Sequence, residues 1–205
     1  DAATAGATAI DLAIPDGQTY KDFYMQGVRG ATGSVTITAT QALFTSASTE
    51  IQVVQPIFRI YSLDTPTTTL SADDEFYVYA GVLNTAGTGV WFWQPVSAAG
   101  PLPVTFTSSA PTVGQIKKTG SAGASVTVEI PVGREYTGTS VAGGGVAFDA
   151  LSGGTAVVTA TAPGFNSGWV ESSVTVTVSK PGMTLTDPWY GAYRLGSSLQ
   201  GQLRL

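Results

Sequence analysis

The chain alternates apolar and polar residues in short runs, which is the pattern of β-strands with one buried face. Apolar side chains occupy alternate positions in the runs 76–82, 104–106, 126–130, 156–160 and 174–178. We therefore predict strands whose apolar sides share one core, with Val128, Val158 and Val176 inside it and Phe76 and Phe106 nearby. No window keeps a helical spacing, and turn residues recur at roughly the 8 to 12 residue intervals of all-β folds. The pattern predicts an all-β, antiparallel fold.

The sequence also repeats itself. Residues 33–44, GSVTITATQALF, align without gaps on residues 154–165, GTAVVTATAPGF, at an offset of 121 positions. Upstream, the segment Ile14-Pro15-Asp16-Gly17 recurs as residues 130–133, IPVG. Downstream, Ile60, Leu70 and Val78 fall on three leucines, Leu185, Leu195 and Leu203, at an offset of 125. Such a period corresponds to one domain per repeat.

Two X-Pro junctions, Gln55-Pro56 and Lys180-Pro181, occupy equivalent positions in the repeat. They divide the chain into residues 1–55, the closing strands of one domain, residues 56–180, a complete domain, and residues 181–205, the opening strands of a following domain. Because proline restricts its own φ and favours extended geometry before it, the junctions are expected to be short and stiff. Proline at the start of a strand is an equally good explanation of both positions.

The segments IPVG at 130–133, SGGTAVVTATAPGF at 152–165 and SSVTVTVSKPG at 172–182 follow one another in an order that resembles bacterial immunoglobulin-like domains. Residues 103–116, PVTFTSSAPTVGQI, resemble the middle strands of the same module. Such domains occur in tandem in invasin-like surface proteins. The resemblance implies antiparallel immunoglobulin-like β-sandwich domains in tandem, a structural or adhesive role at a bacterial cell surface or outside the cell, and no catalytic residues.

Composition excludes several chemistries. The 205 residues include no His and no Cys, so Ser-His-Asp and Cys-His catalysis, the usual zinc ligands, thiol redox chemistry and disulfides are excluded. We therefore expect no enzyme activity, no catalytic residues and no cofactor. The net charge is −5, with no basic stripe for phosphates, so nucleic acid is not an expected partner. No apolar run reaches the ~18 residues of a membrane span.

The acidic residues Asp73, Asp74 and Glu75 are the one weak candidate for a metal site. Carboxylate oxygens suit Ca²⁺. However, neighbouring residues on a strand point to opposite faces, and the equivalent positions in the next repeat are Ser198, Leu199 and Gln200. We expect no metal site.

The aromatic residues Trp91, Phe92 and Trp93 lie between loop segments that allow a projecting hairpin. Paired indoles stack on sugar rings or anchor a protein partner. Packing of one or both indoles into the core or under its loops is the alternative.

Two functions follow from the sequence. The first is a structural immunoglobulin-like repeat of an extended surface or extracellular filament, whose partners are adjacent repeats or neighbouring copies joined head to tail by strand complementation. The second is an adhesin-type binding module that presents the aromatic loop to a glycan or protein. Half a sandwich leaves an apolar face and strand edges in water, so residues 1–55 should require completion.

Overall fold

The computed structural model describes residues 6–186 and 202–204, and its regular secondary structure is almost entirely β-strand, beginning at Gly33. The strands are β1 (Gly33–Ala39), β2 (Ala47–Val53), β3 (Ile57–Tyr61), β4 (Thr67–Thr68), β5 (Asp74–Leu83), β6 (Val90–Trp93), β7 (Leu102–Ser108), β8 (Gly114–Lys118), β9 (Ser121–Gly123), β10 (Ser125–Ile130), β11 (Val146–Ala150), β12 (Gly154–Thr161), β13 (Ser173–Ser179), β14 (Thr184–Thr186) and β15 (Gln202–Arg204). Within the described residues, the single helical element is a 3-10 turn, Val170–Ser172. The predicted all-β class is confirmed.

Strands β3 to β13 form two sheets. The first has the order β10-β7-β12-β13-β4, and the second has the order β3-β5-β11-β8-β9, with β6 also paired to β5. Neighbouring strands are antiparallel except β13 and β4, which run parallel over the pairs Val178↔Thr67 and Ser179↔Thr68. The antiparallel prediction therefore holds for the sheets apart from this two-residue edge.

The two sheets bury their apolar faces in one core. The rings of Phe76 from β5 and Phe106 from β7 meet across the sheets at 5.3 Å, edge to face. Val128, Val158 and Val176 lie in the same cluster. The core predicted from the alternation is confirmed.

The strand register agrees with that core. Val158 and Val176 are fully buried, whereas Thr175 is exposed and Thr159 is half-buried. Because the side-chain period is two, a slip by one residue would exchange these positions. The prediction of which strand faces are apolar is therefore confirmed.

Strands β1 and β2 form a separate antiparallel hairpin, paired from Gly33↔Val53 to Ala39↔Ala47. Cross-strand partners share a face, so one face is polar and the other apolar. The apolar face carries Val35, Ile37, Ile51 and Val53, and Val35 is 49% exposed. The apolar face of this hairpin is thus only partly covered, with Ile37, Ile51 and Val53 half-buried.

A second hairpin pairs β14 with β15, with Leu185 opposite Leu203. The predicted equivalent position Leu195 and the positions Ser198, Leu199 and Gln200 lie outside the described residues. Among residues 6–186 and 202–204, no helix has the length and apolar character needed to cross a bilayer.

Candidate functional site

The candidate site lies on the outer face of the second sheet. Side chains alternate along β5, so Phe76 and Val78 enter the core while Tyr77 and Tyr79 point to the other side. The strand register puts Tyr61 of β3 opposite Tyr77. Three tyrosines from two strands therefore occupy one patch of sheet surface.

Five rings form what we call the aromatic array: Tyr61, Tyr77, Tyr79, Trp93 and Tyr136. Tyr79 lies at its centre, with ring centroids 5.4 Å from Tyr61, 5.9 Å from Tyr77, 5.0 Å from Trp93 and 4.9 Å from Tyr136. Tyr61 and Tyr77 stack at 5.9 Å, and all five side chains are half-buried. Such spacings are those of favourable aromatic pairs, so the array is one continuous surface.

Glycine at position 81 makes room for Trp93. Gly81 lies opposite Trp93, and a Cβ on Gly81 would come within 2.8 Å of the indole Cε3. A side chain at position 81 would therefore push the indole off the sheet. Because Gly81 has no side chain, the indole of Trp93 lies across β5 against Tyr79.

Tyr136 reaches the array through an irregular segment beside β5. The Ala80 amide donates to the Glu135 carbonyl at 2.7 Å, and the Thr137 amide donates to the Val78 carbonyl at 3.2 Å. The buried Thr137 hydroxyl accepts the Val78 amide at 3.3 Å. These bonds on both sides fix the position of Tyr136.

Two arginines border the array. The Arg59 guanidinium lies over the Tyr61 ring at 4.9 Å and pairs with Glu171 at 3.2 Å. Arg134 lies over Tyr136 at 5.1 Å and donates to its hydroxyl at 3.0 Å. In the described part of the chain, Arg134 makes no salt bridge, so its guanidinium keeps donors for another group.

The central phenol is held neutral. Partial burial, with smaller contributions from Tyr136, Tyr77, Glu135 and Tyr61, raises the pKa of Tyr79 above its ordinary value of 10.0. A phenol is protonated at physiological pH even at its ordinary pKa, so the raised pKa of Tyr79 extends its capacity to donate a hydrogen bond to more alkaline pH.

A groove of about 720 Å³ adjoins the array. It shares Arg134 and Tyr136 with the array, and its other lining residues include Lys118, Glu129 and Gly144. Lys118 donates to the Thr127 carbonyl at 2.8 Å. Because Thr127 and Glu129 belong to the edge strand β10 of the first sheet, the groove extends the candidate site from the face of the second sheet to the edge of the first, with groups of both charges.

The structure divides the three aromatic residues that the sequence analysis grouped. Trp93 belongs to the array, whereas Trp91 and Phe92 are 68% and 46% exposed and contact each other at 5.5 Å. The register shift between Val82 and Leu83 causes the separation. The sequence analysis did not identify Tyr61 and Tyr136 as site residues. Tyr77 and Tyr79 alternate with buried residues of β5, and this pattern could have indicated an aromatic outer face.

The acidic candidates point to three different partners. Asp73 pairs with Lys117 at 2.5 Å, Asp74 accepts the Asp64 amide at 2.6 Å, and Glu75 accepts the Val141 amide at 2.8 Å. The described residues contain no group of three or more carboxylates that could hold a metal ion. Each carboxylate has a structural partner of its own.

The outer face of the first sheet is chemically different. Its hydroxyls pair across strands, with Thr105 and Thr127 at 2.9 Å and Thr159 and Ser173 at 3.0 Å. The outer face of the first sheet is therefore built from threonine and serine, whereas the outer face of the second sheet carries the aromatic rings.

No known protein-family model matches this chain, and no curated protein matches it significantly.

Proposed function

We propose that this chain is a structural part of an extended bacterial cell-surface or extracellular protein built from tandem immunoglobulin-like domains. Residues 56–180 form one complete β-sandwich domain in this proposal. Residues 1–55 are the closing strands of the domain before it, and residues 181–205 are the opening strands of the domain after it.

The order of strands supports an immunoglobulin-like domain. That fold has strands A, B, E and D in one sheet and C, F and G in the other. Naming β3, β5, β7, β8, β11, β12 and β13 as A to G in chain order gives the neighbours A-B-E-D and C-F-G. Strands β10 and β4 lie at the two edges of the sheet that contains C, F and G.

The register of the flanking hairpins is the observation that carries the proposal. Gly33 pairs with Val53 in β1–β2, as Gly154 pairs with Val178 in β12–β13. These partners are 121 and 125 positions apart in the sequence. This match supports assigning the β1–β2 hairpin to strands F and G of a preceding domain.

The hairpin at the other end repeats the opening strands. Leu185 pairs with Leu203 in β14–β15, as Ile60 pairs with Val78 in β3–β5. Both partners are shifted by 125 positions. Positions that are equivalent in the sequence repeat are therefore cross-strand partners in both hairpins.

Contacts at the first junction support an end-to-end arrangement. Arg29, which precedes β1, donates to the Gly100 carbonyl of the β6–β7 connection at 2.8 Å. The Asn166 amide, in the β12–β13 connection, donates to the Pro56 carbonyl at 2.8 Å. The loops at one end of the complete domain thus hold the segment that leads into it.

The β4–β13 edge suits a load-bearing module. The Thr69 amide donates to the Ser179 carbonyl at 3.2 Å, and the Thr177 amide donates to the Thr65 hydroxyl at 3.1 Å. Because β4 lies near the start of the domain and β13 ends it, tension along the chain would shear this parallel pair. Several hydrogen bonds would then have to break together.

Pulling single molecules by their ends tests the structural role. Residues 57–180 should unfold in one cooperative event that releases a contour length of about 40 nm. Unfolding at negligible force, or in several smaller steps, would contradict a load-bearing domain.

The apolar face of β1–β2 supports completion by strands of another unit. In the complete domain, β12 and β13 face β3 and β5 across the core. Equivalent strands from an adjacent repeat or a neighbouring copy would cover Val35 and Ile51. Light scattering distinguishes these sources, since a mass that rises with concentration indicates neighbouring copies and a constant monomer mass excludes them.

The second candidate function is adhesin-type binding to a glycan or protein. The observation that favours it is the aromatic array, a set of five half-buried rings on the outer face of the second sheet. Retention of the chain by immobilised glycans or extracellular proteins, lost when exposed aromatic residues are replaced, tests it.

A further inference from the structure

We infer that the aromatic array and the adjoining groove form a binding site for a neutral polysaccharide. The inference rests on the adhesin-type function and is independent of the structural role. The inference places the binding site on the outer face of the second sheet, and it specifies a sugar polymer as the ligand instead of a protein.

The fold does not require aromatic residues at these positions. In β14–β15, which shares the register of β3–β5, the pair equivalent to Tyr61↔Tyr77 is Thr186↔Gln202, and Arg204 stands in place of Tyr79. The first sheet likewise uses threonine on its outer face. The aromatic rings are therefore a property of this one face, beyond what strand pairing needs.

The rings supply an apolar surface with polar edges. Neighbouring centroids lie between 4.9 Å and 6.5 Å apart, and the rings come from four backbone segments. Within the described residues, the hydroxyls of Tyr61, Tyr77 and Tyr79 bond to no protein group. A pyranose ring has apolar C–H faces and a rim of hydroxyls, and so matches both features.

The charges around the site favour an uncharged ligand. Arg59 is paired with Glu171, and the two cations of the groove, Lys118 and Arg134, are accompanied by Glu129 in the groove and by Glu135 next to Arg134 in the chain. The chain as a whole carries −5. An acidic polymer would meet these carboxylates and a basic polymer would meet the arginines, whereas sugar hydroxyls both donate to carboxylates and accept from guanidinium groups.

The extent of the site favours a polymer. The array spans β3, β5 and β6, and Tyr136 joins it to the groove of about 720 Å³. One sugar ring covers one or two aromatic rings. A chain of several sugars is needed to contact Tyr61 at one end and the groove at the other.

Affinity electrophoresis of the full chain in gels containing soluble neutral polysaccharides tests the inference. The polymers are hydroxyethylcellulose, mixed-linkage β-glucan, galactomannan, xylan and methyl-esterified pectin. At least one should retard the chain, and salt should change the affinity less than about twofold because no charge is neutralised. De-esterified pectin should bind no more tightly than the methyl ester.

Variants locate the site. Tyr79→Thr and Tyr136→Thr should each weaken binding about tenfold. Threonine is chosen because it is the residue that the first sheet carries on its outer face. Trp91→Ala, an exposed aromatic residue outside the array, is the matched control and should leave binding within about twofold. Circular dichroism and thermal melting of each variant separate loss of binding from loss of fold.

Every other outcome overturns the inference in a distinct way. Loss of binding with Trp91→Ala and retention with Tyr79→Thr would move the site to the loop and leave the adhesin function standing. A neutral polysaccharide would be excluded if none of the polymers retards the chain, or if the chain binds de-esterified pectin more tightly than the methyl ester. Tighter binding to a polyproline peptide than to any of the polymers would exclude it as well. Absence of binding to glycans and proteins alike would remove the adhesin function as well.

Discussion

Gly114→Ala is expected to destabilise the complete domain sharply, because the position is closed by an aromatic ring. Gly114 begins β8 and is buried, and its carbonyl accepts the Ser108 hydroxyl at 2.6 Å. A Cβ at this position would lie 2.0 Å from Cζ of Phe148 and 2.6 Å from Cε1 and Cε2. Carbon atoms in contact need about 3.5 to 4.0 Å.

The ring has no free direction in which to move. Phe148 is 1% exposed and lies in the same core cluster as Phe76 and Phe106. Inserting a methyl group into a well-packed core costs about 1 to 3 kcal/mol, and removing a glycine from a strand returns about 0.5 to 1 kcal/mol. Because the overlap involves three ring atoms, we expect a net loss of about 2 kcal/mol.

Chemical denaturation monitored by tryptophan fluorescence measures this loss as a lower midpoint with an unchanged slope. Gly123→Ala is the matched control, because it also lies in a strand of the same sheet and its Cβ would have no neighbour within 4 Å. Phe148→Leu should partly rescue Gly114→Ala by removing the ring atoms that the methyl group meets. Equal stability of Gly114→Ala and Gly123→Ala would refute the packing argument.

Three further predictions concern the core and the acidic residues. Val158→Ala should cost about 1 to 3 kcal/mol in denaturant melts, and a loss within error would place this residue outside the core. A chelator should leave the melting temperature unchanged, whereas a fall restored by Ca²⁺ would point first to Asp73, Asp74 and Glu75. Burial raises the pKa of Asp74 above its ordinary value of 3.8. The hydrogen bond from the Asp64 amide lowers this pKa in part, and the nearby charge of Asp64 raises it. The folded state therefore binds that proton more tightly, and the free energy of unfolding should fall as pH rises through the raised pKa. Asp74→Asn should remove this part of the pH dependence, and an unchanged pH profile would contradict it.

The alternation of apolar residues was sufficient to predict the core. In β12, Val158 is buried and Val157 is exposed, as the period of two requires. The repeat predicts strands in both flanking segments, and β1–β2 and β14–β15 lie there. Local patterns therefore carried the strands and their buried faces.

The aromatic array could not be derived in the same way, because its members come from distant parts of the chain. Tyr136 lies in a segment without strand alternation, and hydrogen bonds to β5 bring it beside Tyr79. The irregular pairing of β6 puts Trp93 on the sheet and leaves Trp91 exposed. Both facts depend on long-range pairing, which a linear pattern does not contain.

The structural and the binding proposals use different surfaces of the same domain. Junction contacts such as that of Arg29 with Gly100 lie at an end of the domain, whereas Tyr61, Tyr77 and Tyr79 lie on the side of a sheet. A ligand on that side leaves the junctions free. At the positions 125 residues further along the chain, the sequence has Thr186, Gln202 and Arg204 instead of these three tyrosines. Avidity requires several linked sites, and the residues that the structure describes hold one such array. We therefore expect polysaccharide binding of modest affinity, with one ligand per chain, and a stoichiometry above one would contradict this assignment.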